Sequence, residues 1–154
     1  MTLREVSVRL LAGNNEDDYE IGVLAGQQLT GVLPGDTVRV KASIKYRGPA
    51  YSDYFYAAIG SVTLGVFDEI WACTVNSKKG TAYNFSSSAD WVTYNMQVDI
   101  PITEVGVPPW IPGWFDIYCK IYNKNIVSPT ISDKIEVLLQ SQFDVFTILS
   151  YEKV

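Results

Sequence analysis

Residues 34–46 read Pro34-Gly35-Asp36, then Thr37-Val38-Arg39-Val40-Lys41-Ala42-Ser43-Ile44-Lys45-Tyr46. Val38, Val40, Ala42, Ile44 and Tyr46 share one parity; Thr37, Arg39, Lys41, Ser43 and Lys45 share the other. Successive strand side chains point to opposite faces, so the stretch predicts a half-buried β-strand entered from a tight turn. The same alternation returns in Trp91–Ile100, with Val92, Tyr94, Met96, Val98 and Ile100 inward. It returns again in Trp114–Tyr122, with Phe115, Ile117, Cys119 and Ile121 on one face. The apolar faces of these three strands are expected to meet in one core.

Working outward, residues 3–11 read as a first strand, with Val6 and Val8 alternating against Ser7 and Arg9. Tyr19–Leu33 is a weak or bulged strand, because Gly22, Gly26 and Gly31 interrupt it. Tyr51–Leu64 is rich in Tyr, Phe, Ile, Val and Thr, with a break expected at Gly60. Val66–Val75 follows, placing Phe67, Trp71, Cys73 and Val75 on one parity. Ile135–Leu139 and Phe143–Tyr151 are the last two strands. In the final one both parities are apolar, Phe143, Val145 and Leu149 on one side and Phe146 and Ile148 on the other. That predicts burial on both faces, by the fold or by a partner. Ala12–Asp18, Arg47–Ala50, Asn76–Gly80, Phe85–Asp90 and Asn123–Asp133 read as loops. Pro108, Pro109 and Pro112 make residues 106–113 a stiff connection, since proline lacks the ladder donor. No sustained 3.6-residue period occurs. The expectation is an all-β chain of eight or nine strands, an antiparallel two-sheet sandwich or a barrel, forming one domain over residues 1–154.

Bulk composition narrows the function classes. The chain is 47% hydrophobic and only 19% charged, so it has few polar groups to cover its surface. Apolar surface shared with another subunit or a larger particle is the expected consequence. A net charge of −5 argues against general attraction to nucleic acid or anionic lipid. Histidine is absent, which removes the usual general base and the commonest transition-metal ligand. Residues 1–6, Met1-Thr2-Leu3-Arg4-Glu5-Val6, lack the features of a signal peptide, and no apolar run is long enough for a membrane-spanning helix. Release by host lysis, as for a virion component, needs no signal.

Candidate chemistry is sparse. Ser86-Ser87-Ser88 has no base to activate it, and phosphate-loop and dinucleotide motifs are missing. Asp68 and Glu69 are adjacent on a strand, so they point to opposite faces and cannot jointly flank a glycosidic bond. Glu16, Asp17 and Asp18, with Glu20, offer the oxygen ligands that calcium takes, at a spacing matching no defined calcium loop. The ordinary alternative is a solvated hairpin end. Arg39, Lys41, Lys45 and Arg47 form a basic outer stripe, read as a solvated face, as partners for acidic neighbours, or as edge protection. Trp114, Tyr118 and Tyr122 share an outer parity with Asp116 and Lys120, and Tyr51, Tyr54 and Tyr56 can extend the row. Such a row suits a subunit interface, a sugar-stacking platform or intrachain packing. Cys73 and Cys119, the chain's two cysteines, fall on apolar parities as two buried thiols or one cross-sheet disulfide.

The Pro34-Gly35-Asp36 turn and the strand after it resemble an early strand of immunoglobulin-like domains found in bacterial adhesion-related and phage structural proteins. Pro112-Gly113-Trp114-Phe115-Asp116-Ile117-Tyr118-Cys119-Lys120-Ile121 resembles a strand near the end of such domains. The ending Phe143–Val154 is similar in flavour to those of uncharacterised phage and environmental proteins. The Cys-Trp-Cys core of antibody domains is absent. The resemblance implies an immunoglobulin-like or jelly-roll-like sandwich. With the composition, it implies a non-catalytic structural or interaction module, self-associating or decorating a virion or extracellular surface structure. The alternative is a carbohydrate-binding module. No cofactor, nucleic acid or membrane span is expected.

Overall fold

The structure is a computed structural model that describes residues 3–7, 11–14, 19–22, 28–73, 79–103, 113–124, 126–127, 130–138 and 146–154. It is all-β, with no helix among the described residues. Within the described residues, twelve strands form two sheets: β1 (Leu3–Ser7), β2 (Leu11–Asn14), β3 (Tyr19–Gly22), β4 (Leu29–Val32), β5 (Thr37–Gly48), β6 (Tyr51–Thr63), β7 (Val66–Ala72), β8 (Thr81–Phe85), β9 (Ser88–Pro101), β10 (Gly113–Ile121), β11 (Ile126–Val127) and β12 (Ile131–Val137).

The stretch that opened the sequence reading is β5, the middle of the first sheet. One edge of β5 pairs with β9 along almost its full length, from Thr37↔Pro101 to Gly48↔Ser88. The other edge is shared, with β1 parallel over Thr37–Lys41 and β3 antiparallel over Ser43–Tyr46. β2 extends this sheet beyond β3. The turn before β5 is type II: the Asp36 N–H donates to the Leu33 carbonyl at 3.0 Å, and Gly35 takes the positive φ of 99° that its third position demands. Reciprocal backbone hydrogen bonds tie that turn to Ile102, Gly35 N–H to Ile102 O and Ile102 N–H to Asp36 O.

The second sheet runs β4-β12-β10-β6-β7, with β8 beside β6 and β11 beside β10. Its inner face carries Phe55, Ala57 and Ile59 of β6, Phe115, Ile117, Cys119 and Ile121 of β10, and Ile131, Ile135 and Val137 of β12. These join Val38, Val40, Ala42, Ile44, Tyr46, Met96, Val98 and Ile100 of the first sheet in one buried cluster. The Phe85 ring lies 5.1 Å from Tyr46 and 4.9 Å from Tyr94, bridging the sheets. Trp71 packs edge-on against Phe115 and donates its indole N–H to the Thr103 carbonyl.

Several expectations are corrected. The sheets are mixed rather than antiparallel, because β1–β5 and β12–β4 are parallel pairs. Among the described residues twelve strands are formed where eight or nine were expected: Thr81–Phe85 is a strand the sequence does not announce, β2 takes up part of the acidic loop at 12–18, and β12 starts at Ile131. Val92 is 38% exposed rather than inward; it pairs with Tyr46, the last residue before the β5–β9 register shifts. Phe67 and Trp71 do not share a face. Between Ile59 and Gly60 the β6–β7 register shifts, Ile59↔Trp71 giving way to Gly60↔Glu69, so Ile70 is bulged out. A bulge re-aims the side chains beyond it, and here it sends Glu69 and Phe67 to the outer face while Trp71 stays in the core. Glycine permits this approach: a Cβ at position 60 would stand 1.9 Å from the Asp68 carbonyl oxygen.

Cys73 and Cys119 are both buried, and neither is in a disulfide. Ala57 separates them, paired with Cys119 on one side and accepting the Cys73 N–H on the other. Two strand spacings, about 10 Å, exceed the roughly 7 Å reach of a disulfide. Of the predicted last strand, residues 143–145 lie outside the described residues. Residues 146–151 form no strand and are exposed, so the chain does not cover them.

Candidate functional site

The aromatic row is assembled on the outer face of the second sheet. Antiparallel pairing sets Lys120 beside Tyr56, Tyr118 beside Ala58 and Asp116 beside Gly60. Ala58 and Gly60 leave space above β6, and the bulge in β7 turns Glu69 into it. The Tyr118 hydroxyl donates to Glu69 Oε1, and the Tyr56 hydroxyl donates to Oε2 at 2.6 Å. Phe67 meets the Tyr118 ring edge-on at 4.6 Å. Lys120 Nζ sits 4.9 Å from the Tyr56 ring centre and 4.8 Å from that of Tyr122; Lys79 Nζ covers Tyr122 at 4.7 Å. One carboxylate therefore holds two phenols, and two ammonium groups lie over the rings.

This arrangement is closed on itself. Tyr56 meets Tyr118 at 52° and Tyr122 at 61°, so the rings present no coplanar row. Burial, followed by the hydrogen bond and charge of Glu69, pushes the Tyr118 phenol well above its ordinary value of 10.0. Tyr118 is thereby held protonated through the neutral range, which suits a structural donor and not a general base.

Of the predicted row, Tyr56, Tyr118 and Tyr122 come together. Tyr54 stands next to them, 38% exposed, its carbonyl accepting the Tyr122 N–H. Trp114 lies at the other end of β10: continuing the register puts it beside Val62, and β12 puts Glu136 on its other side. Glu16, Asp17 and Asp18, the calcium candidates, lie outside the described residues. Among the described residues no cluster of Asp, Glu, Cys or His is formed that could hold a metal. In the basic stripe, Arg39 makes a two-pronged ion pair with Asp99 directly across from it, at 2.8 and 3.1 Å. Arg47 lies over the Trp91 ring at 4.6 Å.

Sequence reasoning missed Asp53. It is 3% exposed, and it accepts from the Tyr51 hydroxyl, the Tyr54 N–H at 2.7 Å, and the Asn123 N–H and Nδ2 at 3.0 Å each. It pins the turn after β10 to β6. A carboxylate sharing parity with Phe55, Ala57 and Ile59 was the available signal. Cys73 was legible as buried; its thiol accepts the Ala57 N–H and is pushed up chiefly by burial. It borders a cleft of about 290 Å³ together with Tyr83, Gln97 and Asp99.

Among the described residues, two stretches expose several large apolar side chains. At the β6–β7 hairpin tip, Val62 is 44%, Leu64 99% and Val66 61% exposed. Along residues 146–154, Phe146 is 94%, Ile148 80%, Leu149 92% and Tyr151 92% exposed. No helix among the described residues is long and apolar enough to cross a membrane. No family model, curated protein or solved structure matches the chain.

Proposed function

We propose that this chain is a non-catalytic structural module that associates with itself, as a component or decoration of a larger assembly such as a phage virion or surface structure. The observation that carries this reading is the 146–154 segment, whose large apolar side chains all stand in solvent. Exposing that much contiguous apolar surface is unfavourable for a lone chain and favourable for one that covers it by association. The two sheets are read as the layers of an immunoglobulin-like or jelly-roll-like sandwich, supported by their single shared core and the ring contacts between them. The closed aromatic face supports a packing role for Tyr56, Tyr118 and Tyr122 over sugar stacking. Size-exclusion chromatography with light scattering, together with electron microscopy, tests the reading. Oligomers, filaments or particles are expected; a strict monomer at high concentration overturns it.

A further inference from the structure

We propose that residues 146–154 of one copy dock on the Leu64 hairpin tip and the adjoining outer edge of β7 in a second copy. The inference rests on the self-association reading and names its two surfaces.

Leu64 is the point of departure. The β6–β7 hairpin turns through two residues, Leu64 at φ 52° and Gly65 at φ 77°. Two positive φ values in a two-residue loop define a type I′ turn, for which asparagine followed by glycine is the favoured pair. Leucine is poorly suited to that left-handed conformation, because its Cβ crowds the following carbonyl. It is also 99% exposed, so it gains nothing from burial within its own chain. A strained and solvated leucine contributes to the fold neither by conformation nor by packing. Backbone strain retained at an exposed position points to a contact made outside the chain.

The surroundings of Leu64 fit an apolar strand. Val62, 44% exposed, and Val66, 61% exposed, flank it. β7 ends the path of the second sheet, and among the described residues nothing pairs with its outer edge. Between the tip and its bulge, β7 offers Val66–Glu69, about 13 Å of regular edge.

The occupant is set by area and by stoichiometry. Residues 146–154 are long enough to line that edge, and they alternate apolar side chains on both parities, as a strand covered on two faces requires. Phe146 and Tyr151 alone bring roughly 400 Å². Counting the matching surface they cover, and both contacts of a reciprocal pair, gives about 1,600 Å², the size of a standard stable interface. Every copy supplies one such segment and one such tip, and within a single chain both stand open.

Three forms of the chain test this by light scattering and thermal melting. Leu64→Asn relaxes the turn, so its thermal midpoint should rise by a few degrees while self-association weakens at least tenfold. A chain ending at residue 145 should keep the wild-type circular dichroism and midpoint and lose self-association. Mixed together, the two should form a one-to-one complex, since one retains the segment and the other the tip. If the wild type assembles and the shortened chain assembles equally well, the segment-to-tip assignment falls while self-association stands. Unchanged assembly of Leu64→Asn, or no complex on mixing, overturns it too. If the wild type is a strict monomer, including one that folds the segment onto its own tip, the self-association reading falls first.

Discussion

Replacing Asp53 separates a buried acceptor from a mere surface charge. Its carboxylate is 3% exposed and serves the Tyr51 hydroxyl, the Tyr54 N–H and both nitrogens of Asn123. Asp53→Ala leaves three N–H groups facing a site that water enters poorly. A buried donor left without its acceptor costs about 1–3 kcal/mol, with bonds to charged groups toward the upper end. The three share Oδ1, so their losses do not simply add, and the expected total is about 3–5 kcal/mol. At roughly 2–4 °C per kcal/mol for a chain of this size, the thermal midpoint should drop by about 6–20 °C. Asp53→Asn keeps an oxygen toward those same N–H groups, and the Tyr51 phenol can turn to accept from the new amide. That variant should lose only about 1 kcal/mol. Equilibrium unfolding in urea, comparing midpoints at constant slope, makes the measurement. If alanine costs no more than asparagine, the carboxylate does not act as a buried acceptor and the account of the β6–β10 turn is wrong.

Other outcomes follow from the same geometry. Gly60→Ala forces a Cβ onto the Asp68 carbonyl and should cost about 1–3 kcal/mol in urea unfolding; a neutral result would mean that β7 shifts freely. Glu69→Gln removes the charge that helps hold Tyr118 protonated, so absorbance titration should show one tyrosine ionising at lower pH than in the wild type; an unchanged curve would mean that Glu69 does not help to hold that proton. Cys73 and Tyr118 both bind their protons more tightly in the folded chain than in the unfolded one. Their contribution is therefore whole below their ordinary values of 9.0 and 10.0 and is lost as the pH rises past them. Urea midpoints should fall from about pH 8.5 upward, less steeply in Cys73→Ala; a flat profile to about pH 10.5 contradicts this.

What the sequence disclosed was what a strand discloses about itself. Val38 through Tyr46, Met96 through Ile100 and Phe115 through Ile121 are buried on the predicted parity, because alternation is a local consequence of the pleat. Pairing is not local. Nothing in Leu3–Ser7 or Leu29–Val32 announces a parallel neighbour, and these two pairs make the sheets mixed. The bulge at Ile70 is likewise a property of two strands: Gly60 on one permits it and Glu69 on the other profits from it. A strict two-residue count therefore put Phe67 on the wrong face. The aromatic row was visible along β10, but its closure was not, since the carboxylate that ties Tyr56 to Tyr118 arrives from β7 through that bulge. Asp53 was overlooked because a lone carboxylate inside a strand looks polar until the donors gathered around it are known.

Local preference and position also disagree at two exposed apolar sites, residues 146–154 and Leu64. Residues 146–154 have the composition of a strand covered on both faces, yet they are exposed and unpaired. Leu64 occupies a turn position favouring asparagine, with its side chain wholly in solvent. Pattern and placement agree at the type II turn of Pro34–Gly35 and along the inner faces of β5, β10 and the Met96–Ile100 part of β9. A chain consistent over its core and inconsistent at two exposed apolar sites carries those conflicts at a cost to its isolated stability. One association, segment on tip, removes both at once: it covers the apolar side chains of 146–154 and gives the exposed leucine the contact that offsets its strained backbone.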